Sequence, residues 1–217
     1  MDARTLTEHG FMVLPSVMTR QECERLCSLL PTENGAAGTR NLLGQSWCVA
    51  MVDRLRAVSE VRAVLPPVSR AVQCSLFVKT PRTNWSVGFH RDLSIPVRAR
   101  VAHSGCAGWS EKEGILYTQP PRDVLEALVA LRVNLDDCGP DNGPLRVIPG
   151  SHKLGHPLES AGSREEECIG PAGSAVVLSP LLLHASSKAR EPKVRRVLHF
   201  LFGPPLLRYG LRWKQSV

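Results

Sequence analysis

The sequence predicts a mainly β fold of the α+β class, in which helices come first and a β barrel or jelly roll follows. Two observations indicate this order: the longer helical patterns end by residue 66, and many short β-rich segments between turn signals follow. Helices followed by runs of strands are typical of that class. The chain has 217 residues, 43% of them hydrophobic, which is enough for one sizeable core. We expect one domain spanning residues 1–217.

The N-terminal part of the chain carries the longer helical patterns. Residues 11–14 are an apolar run that predicts a short strand. Thr19 and Glu22 form a capping box for a helix that runs to about Leu30, with apolar residues at spacings of three and four. Residues 46–65 predict a further helix, which the prolines at 66 and 67 end.

Short β-rich segments dominate the rest of the chain. They are separated by turn signals such as the Asp-Asn-Gly-Pro run at 141–144 and the Pro-Gly pair at 149–150. A short helical turn is expected at 121–126. The predicted strands are residues 71–80, 131–135, 145–148, 175–178 and 194–202.

The charge distribution favours a small-molecule partner. Lys and Arg outnumber Asp and Glu by 27 to 20, and the formal net charge of +7 favours anionic partners. The basic residues are scattered singly, with Arg195-Arg196 as the one adjacent pair, so the sequence lacks the basic runs typical of nucleic-acid-binding tails. We therefore expect a small-molecule substrate rather than a nucleic acid.

Cysteine usage and hydropathy predict a cytoplasmic protein with no membrane partner. The seven cysteines are odd in number and include no Cys-x-x-Cys pair, so neither a disulfide framework nor a zinc ribbon is supported. Buried free thiols fit a reducing compartment. The first ten residues lack the apolar core of a signal peptide. The longest apolar stretch, residues 175–183, is well short of the ~20 residues that a membrane helix needs.

Three residues have the types required for a non-haem iron site. On a strand, residues i and i+2 point to the same face, so His90 and Asp92 can reach one ion while Arg91 points away. His184 ends an apolar segment that would hold its imidazole rigidly. Two imidazoles and one carboxylate on one face of a metal leave positions open for co-substrates. The alternatives are a core histidine bonded to a carboxylate, and an isolated structural histidine.

Other candidate ligands are weaker. His152 follows a Pro-Gly turn, where a side chain more often braces a loop, and His156 lies close by in the sequence. Cys168 has no neighbours at zinc-ligand spacing. The stretch from His90 to Leu93 mimics a kinase catalytic loop, but that loop needs an Asn where this chain has Val97, so a kinase is rejected.

Three separated stretches together resemble the phytanoyl-CoA dioxygenase family of Fe(II)/2-oxoglutarate-dependent oxygenases. They are residues 88–92, 142–152 and 184–186, with Arg195 eleven residues after His184. The run at 142–152, Asn-Gly-Pro-Leu-Arg-Val-Ile-Pro-Gly-Ser-His, is the most specific, and the likeness extends over about residues 11–202. It implies a double-stranded β-helix, a cupin-like jelly-roll barrel preceded by flanking helices.

The resemblance also implies what the metal site does. His90, Asp92 and His184 hold Fe(II), with dioxygen and 2-oxoglutarate as co-substrates. The expected reaction hydroxylates an unactivated carbon and releases succinate and carbon dioxide. Asp92 favours hydroxylation, because related halogenases lack this carboxylate.

Further residues match co-substrate positions of the family. Arg195 is expected to bind the distal carboxylate of 2-oxoglutarate, and Ser186 and Arg132 match positions that also contact it. Lys79 matches a lysine often found upstream of the His-x-Asp pair, without an assigned role. Basic residues near the expected mouth could orient an anionic metabolite or could be ordinary solvated charges; they are Arg91, Arg98, Arg100, Lys112 and Arg132.

Two other classes of function stay open. One is a non-catalytic jelly-roll module that binds anionic ligands, in which the triad would hold no iron. The other is a zinc hydrolase that uses the same three ligands and would need neither 2-oxoglutarate nor oxygen. The hydrolase leaves Arg195 without a task.

Overall fold

The structure is a computed structural model that describes residues 4–30, 37–153, 164–191 and 193–217. Its helices are α1 (Arg4–His9), α2 (Arg20–Leu29), α3 (Ser46–Ala57), α4 (Ser59–Val64) and α5 (Arg122–Glu126). Its strands are β1 (Phe11–Leu14), β2 (Gly38–Thr39), β3 (Arg70–Lys79), β4 (Val87–His90), β5 (Ile95–Val97), β6 (Ala107–Lys112), β7 (Ile115–Gln119), β8 (Val129–Asn134), β9 (Leu145–Val147), β10 (Glu166–Cys168), β11 (Ala175–Leu178), β12 (His184–Ser186) and β13 (Arg195–Gly203).

The predicted helices are present, with one break inside the second, and α1 is a helix that the sequence analysis did not predict. The Thr19 hydroxyl accepts a hydrogen bond from the backbone N–H of Glu22 at 3.2 Å, and the Glu22 carboxylate accepts one from the Thr19 N–H at 2.7 Å, as the capping box predicts. The helix predicted over 46–65 is two helices, because Val58 is extended (φ −71°, ψ 123°) between α3 and α4. A single extended valine carries no Gly or Pro signal, so the sequence pattern does not show this break.

The larger sheet separates the helices from the barrel interior. It has the order β1-β11-β8-β13-β3-β2, and its pairings are antiparallel. Side chains alternate between the two faces of a strand. On β13, Leu198 and Phe200 therefore pack in the core under the helices. Arg195 and His199, on the opposite face of β13, point into the barrel.

The smaller sheets close the other side of the barrel. One has the order β10-β9-β12-β4, with β12 between β9 and β4, and the other has the order β5-β7-β6. A second apolar core that includes Val147, Leu178 and Leu182 joins the sheets. The predicted fold class is confirmed: a mainly β jelly-roll barrel with flanking helices from the N-terminal part of the chain. The strands predicted from the sequence are all present, with ends that differ by one or two residues.

Two further expectations concern membranes and thiols. Within the described ranges, no helix combines the length and the apolar character that crossing a bilayer requires. All seven cysteines are free thiols, and most are buried.

Candidate active site

Two neighbouring strands of the four-stranded sheet, β4 and β12, bring the two histidines of the triad together. His90 ends β4 and His184 begins β12, and the two residues are direct cross-strand partners. Their rings lie 4.3 Å apart, centre to centre. Residues that are 94 positions apart in the sequence thus share one point at the mouth of the barrel, as the metal-site hypothesis requires.

Asp92 reaches the same point from outside the strand. The prediction placed His90 and Asp92 on one strand face, but β4 ends at His90. Asp92 lies on the following segment, held by a hydrogen bond of 2.9 Å from its backbone N–H to the carbonyl of Pro180. Its carboxylate lies 3.7 Å from His90 Nε2 and 3.6 Å from His184 Nε2. Arg91 points away as expected, donating to the carbonyls of Leu181 and Ser151.

Backbone carbonyls orient both imidazoles for metal binding. His90 Nδ1 lies 2.9 Å from the carbonyl of Gly88, and His184 Nδ1 lies 2.9 Å from the carbonyl of Leu182. A carbonyl can only accept, so each Nδ1 carries the proton and each Nε2 presents a lone pair towards the centre of the triad. This is the arrangement in which a histidine is held as a metal ligand by its other ring nitrogen.

Burial and the charges around it shift the pKa values of His184 and Asp92 towards the forms that bind a metal. Burial lowers the pKa of His184, so its imidazole is neutral at neutral pH. Burial alone would raise the pKa of Asp92, but the imidazoles of His184, His199 and His90 outweigh it and the pKa lies below its ordinary value. Neutral imidazoles beside an ionised carboxylate are the protonation states that a metal ion requires.

The geometry fits a divalent metal. The ligand atoms of His90, Asp92 and His184 lie within 4.8 Å of one another, the one such group in the described ranges. The carboxylate-to-imidazole distances of 3.7 and 3.6 Å are less than twice a metal–ligand bond of about 2.1 Å. Two histidines and one carboxylate, with the remaining directions open, are typical of non-haem Fe(II) sites.

A cluster of three buried cations lies deeper in the barrel. Arg195 and Lys79 are cross-strand partners on β13 and β3, and Arg132 lies on the adjacent strand β8. Arg195 and Lys79 are each 1% exposed and Arg132 is 6% exposed. Among the described residues, no carboxylate forms an ion pair with any of the three. We call this group the cation cluster.

The cation cluster is held by neutral groups only. Lys79 Nζ donates to the Ser186 hydroxyl at 2.8 Å and to the carbonyl of Ser187. Arg195 contacts the thiol of Cys138 at 3.7 Å, and its Nε has no hydrogen-bond partner. Arg132 Nη2 is also buried without a partner. These unsatisfied donors indicate that the cluster is built for an anionic ligand.

Burial and mutual repulsion disturb the titration of the cluster. Burial, followed by repulsion from Arg195 and Arg132, lowers the pKa of Lys79 to about 7. Burial and then repulsion from Arg195 lower the pKa of Arg132 to about 10. Without a bound anion, Lys79 and Arg132 therefore destabilise the fold.

Replacing Arg132 by Met should stabilise the ligand-free protein. A buried cation without an ion-pair partner is lost, and an apolar side chain of similar length fills its space. We expect a gain of about 1 kcal/mol, or a rise of about 2–4 °C in Tm, measured by thermal unfolding without metal or added anion. Arg62→Met, an exposed change on α4, is the control and should leave Tm unchanged. A lower Tm for Arg132→Met would show that Arg132 is internally compensated.

A small chamber connects the triad to the cation cluster. His90, Asp92 and His184 line one side, and Arg132 and Ser186 line the other. Apolar and aromatic side chains complete the wall of this inner chamber: Phe77, Trp85, Val87, Leu145, Leu178 and Ala185. Arg195 does not form part of the wall. It lies behind it, beside Lys79, which reaches the wall through Ser186.

His199 is a site residue that the sequence analysis missed. Its Nε2 lies 3.8 Å from the Asp92 carboxylate, and its ring packs edge-on against Phe77. Burial lowers its pKa to about 4, so the imidazole is neutral. The strand period was the available signal, because His199 stands four residues after Arg195 on β13 and must share its face.

An outer chamber opens on the other side of Phe77 and His199. Each of these two residues lines both the inner and the outer chamber, and so do His90 and Asp92. The outer chamber has a volume of about 350 Å³, near the low end of the ~300–1,000 Å³ typical of small-molecule sites. The triad therefore lies at the junction of two compartments, one lined by Arg132 and the other open towards β6 and β7.

The remaining candidate residues lie elsewhere. His152 braces the N-terminal region through the carbonyl of Thr7, 3.2 Å from its Nε2, and is not part of the triad. His156 lies outside the described residues. Cys168 is buried on β10. Of the basic residues expected near the mouth, Arg98 and Arg100 line neither chamber, while Arg91, Lys112 and Arg132 do.

A comparison with family models gives one match. The model described as phytanoyl-CoA dioxygenase matches residues 58–197, more than half of the chain, and this range contains His90, Asp92, His184 and Arg195. No curated protein sequence matches the chain.

Three solved structures with the same fold are distant in sequence. HygX from Streptomyces hygroscopicus, with nickel and 2-oxoglutarate bound, is 21% identical with a TM-score of 0.66, over 96% of this chain and 89% of that chain. SnoN, a non-haem α-ketoglutarate-dependent epimerase from nogalamycin biosynthesis, is 15% identical with a TM-score of 0.65, over 93% and 80%. SnoK, a carbocyclase from the same biosynthesis, is 14% identical with a TM-score of 0.64, over 96% and 87%. At these identities the likeness establishes the fold.

Proposed function

Because the chain belongs to the phytanoyl-CoA dioxygenase family, we propose that it is a non-haem Fe(II)/2-oxoglutarate-dependent dioxygenase that hydroxylates an unactivated carbon of a small metabolite. One observation carries the proposal. A triad of His90, Asp92 and His184 lines a chamber beside a buried cation cluster that has no carboxylate partner among the described residues.

The triad is the proposed iron site. His90 and His184 would each contribute Nε2, and Asp92 would contribute a carboxylate oxygen. Bound Fe(II) supplies the dioxygen chemistry, in which 2-oxoglutarate is converted to succinate and carbon dioxide and the substrate is oxidised. The carbonyls of Gly88 and Leu182 keep the two imidazoles aimed at the site.

The cation cluster is the proposed site for the distal carboxylate of 2-oxoglutarate. A permanently charged, planar guanidinium is suited to a carboxylate, and Arg195 has a free Nε to donate. Arg132 and Ser186 line the chamber, and Arg132 Nη2, which is buried without a partner, can donate to the same anion. Lys79, whose role the sequence left open, adds a positive charge beside Ser186. A dianion that spans the inner chamber would neutralise charges that the protein alone leaves uncompensated.

The wall of the inner chamber excludes water from this region. Phe77, Leu145 and Leu178 are apolar, and Trp85 is fixed by donating its indole N–H to the carbonyl of Val78 at 2.7 Å. A dry surrounding strengthens the attraction between the co-substrate carboxylate and the cation cluster. The chamber therefore favours binding of 2-oxoglutarate in one orientation.

Hydroxylation is the outcome we propose among several that this chemistry allows. SnoN and SnoK are an epimerase and a carbocyclase on the same fold. Asp92 occupies the carboxylate position of the triad, which supports hydroxylation over halogenation. The product formed from an identified substrate decides the matter: hydroxylation adds one oxygen atom, whereas epimerisation leaves the mass unchanged and ring closure removes two hydrogens.

The proposal extends to the domain organisation, the cellular compartment and the partner of the enzyme. We propose that residues 1–217 form one catalytic unit, since both chambers draw on strands from β3 to β13. The seven free cysteines support a reducing compartment such as the cytoplasm. A small-molecule substrate fits the volume of the outer chamber.

Thermal unfolding with metal and co-substrate tests the function directly. We expect Ni(II) and 2-oxoglutarate together, each at about 100 times its Kd, to raise Tm by about 10–20 °C. Pyruvate, a 2-oxo acid without the distal carboxylate, should give a much smaller shift because it cannot reach the cation cluster. With Fe(II) and oxygen, succinate should form from 2-oxoglutarate.

Each alternative function predicts a different result. A non-catalytic binding module would show no joint effect of metal and 2-oxoglutarate on Tm. A zinc hydrolase would be active with Zn(II) in the absence of 2-oxoglutarate and oxygen. Either result would contradict the proposed dioxygenase.

A further inference from the structure

The outer chamber has a polar end away from the triad. Five side chains form this end, and none of them lines the inner chamber: Arg40, Gln73, Ser75, Lys112 and Tyr117. The register of β3 and β13 gives the order of side chains from the cation cluster to this polar end. On β3 and β13, the pairs Lys79–Arg195, Ser75–His199 and Gln73–Leu201 follow one another, so Gln73 lies beyond His199 as seen from the cation cluster.

Positive charge dominates the wall of the outer chamber. Arg40, Arg91 and Lys112 line it, and among the described residues Asp92 is the one carboxylate on the wall. Asp92 is assigned to the metal. The guanidinium of Arg91 donates to the carbonyls of Leu181 and Ser151 and faces away. Arg40 and Lys112 are therefore the charges available to a ligand.

Both available cations are held in place at the chamber. Lys112 Nζ lies 5.5 Å from the centre of the Tyr117 ring. Arg40 lies 3.4 Å from the Glu113 carboxylate, which also accepts from the Arg40 backbone N–H at 2.9 Å and from Thr39 Oγ1 at 2.5 Å. Glu113 does not line the chamber, so it positions the guanidinium from behind.

Unused hydrogen-bond donors accompany these charges. Tyr117 is 2% exposed, and its hydroxyl is buried without a hydrogen-bond partner. Burial raises the pKa of Tyr117 to about 12, so the hydroxyl stays protonated and can donate. Ser75 accepts from Gln73 at 2.9 Å, which leaves the Ser75 hydroxyl proton free. A buried donor without a partner indicates a missing acceptor.

We propose that the substrate carries an anionic group, a carboxylate or a phosphate, which Lys112, Arg40 and the Tyr117 hydroxyl bind at the polar end of the outer chamber. The carbon to be oxidised lies towards the triad, against Phe77 and His199. This inference rests on the proposed dioxygenase function and names its substrate class. An ammonium compound of similar shape is repelled by the same wall.

Matched aromatic probes test the inference without knowledge of the natural substrate. Benzoate and phenyl phosphate carry the two anions, benzamide is the neutral counterpart of benzoate, and benzylamine is the cationic one. Binding is measured by calorimetry on the protein loaded with Ni(II) and 2-oxoglutarate, which occupy the triad and the inner chamber. We expect at least one anionic probe to bind about tenfold more tightly than benzamide, and benzylamine not to bind. Whichever of benzoate and phenyl phosphate binds more tightly shows whether the anionic group of the substrate is a carboxylate or a phosphate.

Variants test whether the polar end of the outer chamber causes the preference for anionic probes. Lys112→Met should remove the preference for the anions, and Tyr117→Phe should weaken anion binding while benzamide binding is kept. Lys153→Met makes the same charge change outside the chamber and should behave as the unchanged protein does. Loading of each variant is checked first through the joint Tm rise with Ni(II) and 2-oxoglutarate.

Each outcome has one interpretation. Absence of a joint Tm rise in the unchanged protein would overturn the proposed dioxygenase function itself. A loaded protein that binds benzamide as tightly as the anions would overturn the anionic substrate class alone. So would a loaded protein that binds no anionic probe in the millimolar range, or an anion preference that Lys112→Met does not change.

Discussion

Asp92→Ala is expected to abolish metal binding and turnover. The carboxylate is the one anionic ligand of the triad, and without it two imidazoles remain near three buried cations. Changes to groups that merely support metal ligands weaken binding by about 10–100-fold, so loss of a ligand should exceed about 100-fold. Metal affinity is measured by titration with Ni(II), and turnover is measured as succinate formed from 2-oxoglutarate.

A matched aspartate controls for the loss of one negative charge. Asp53 is exposed on α3, and Asp53→Ala should keep metal affinity and turnover unchanged. The Asp92→Ala protein should unfold at a Tm close to that of the unchanged, metal-free protein, which separates loss of the site from loss of the fold. Substrate-dependent succinate formation at the full rate by Asp92→Ala would contradict the assignment.

Arg195→Met is expected to remove most of the affinity for 2-oxoglutarate. Loss of one partner from a buried, hydrogen-bonded charge pair costs about 2–5 kcal/mol, or about 30-fold or more in Kd. Arg195→Lys should recover part of the affinity, because it restores the charge without the planar fork. The Kd for 2-oxoglutarate is measured by calorimetry in the presence of Ni(II).

The adjacent arginine is a control on the same strand. Arg196 points to the other face of β13 and pairs with Asp136 at 2.8 Å. Arg196→Met can lower stability but should leave the Kd for 2-oxoglutarate unchanged. Ni(II) affinity should be preserved in Arg195→Met, because Arg195 does not touch the triad. An unchanged Kd for 2-oxoglutarate in Arg195→Met would remove the cation cluster from the co-substrate site.

Sequence patterns and family resemblance were sufficient to predict the candidate triad and two cations of the cluster. The His-x-Asp pair indicated His90 and Asp92, and the apolar run indicated His184. The resemblance indicated Arg195 and Arg132. The structure corrects one physical reason: Asp92 is not on the strand with His90, but follows it and is held by Pro180. The face-sharing rule for strands therefore gave the right residue pair for an incomplete reason.

Residues that meet only through barrel closure were beyond the sequence. Tyr117 and Arg40 join the outer chamber because β3, β7 and the segment after β2 approach one another in a register that no local pattern specifies. The expectation that Arg98 and Arg100 lie at the mouth was wrong, since neither lines a chamber. The Arg100 guanidinium instead lies 5.3 Å from the Trp109 ring centre.

Anomalous diffraction from crystals grown with Ni(II) and 2-oxoglutarate tests the central claim most directly. The account predicts one metal peak within bonding distance of His90 Nε2, Asp92 and His184 Nε2, with 2-oxoglutarate density running from it towards Ser186 and Arg195. A metal peak elsewhere, or a metal at the triad with 2-oxoglutarate outside the inner chamber, would contradict it.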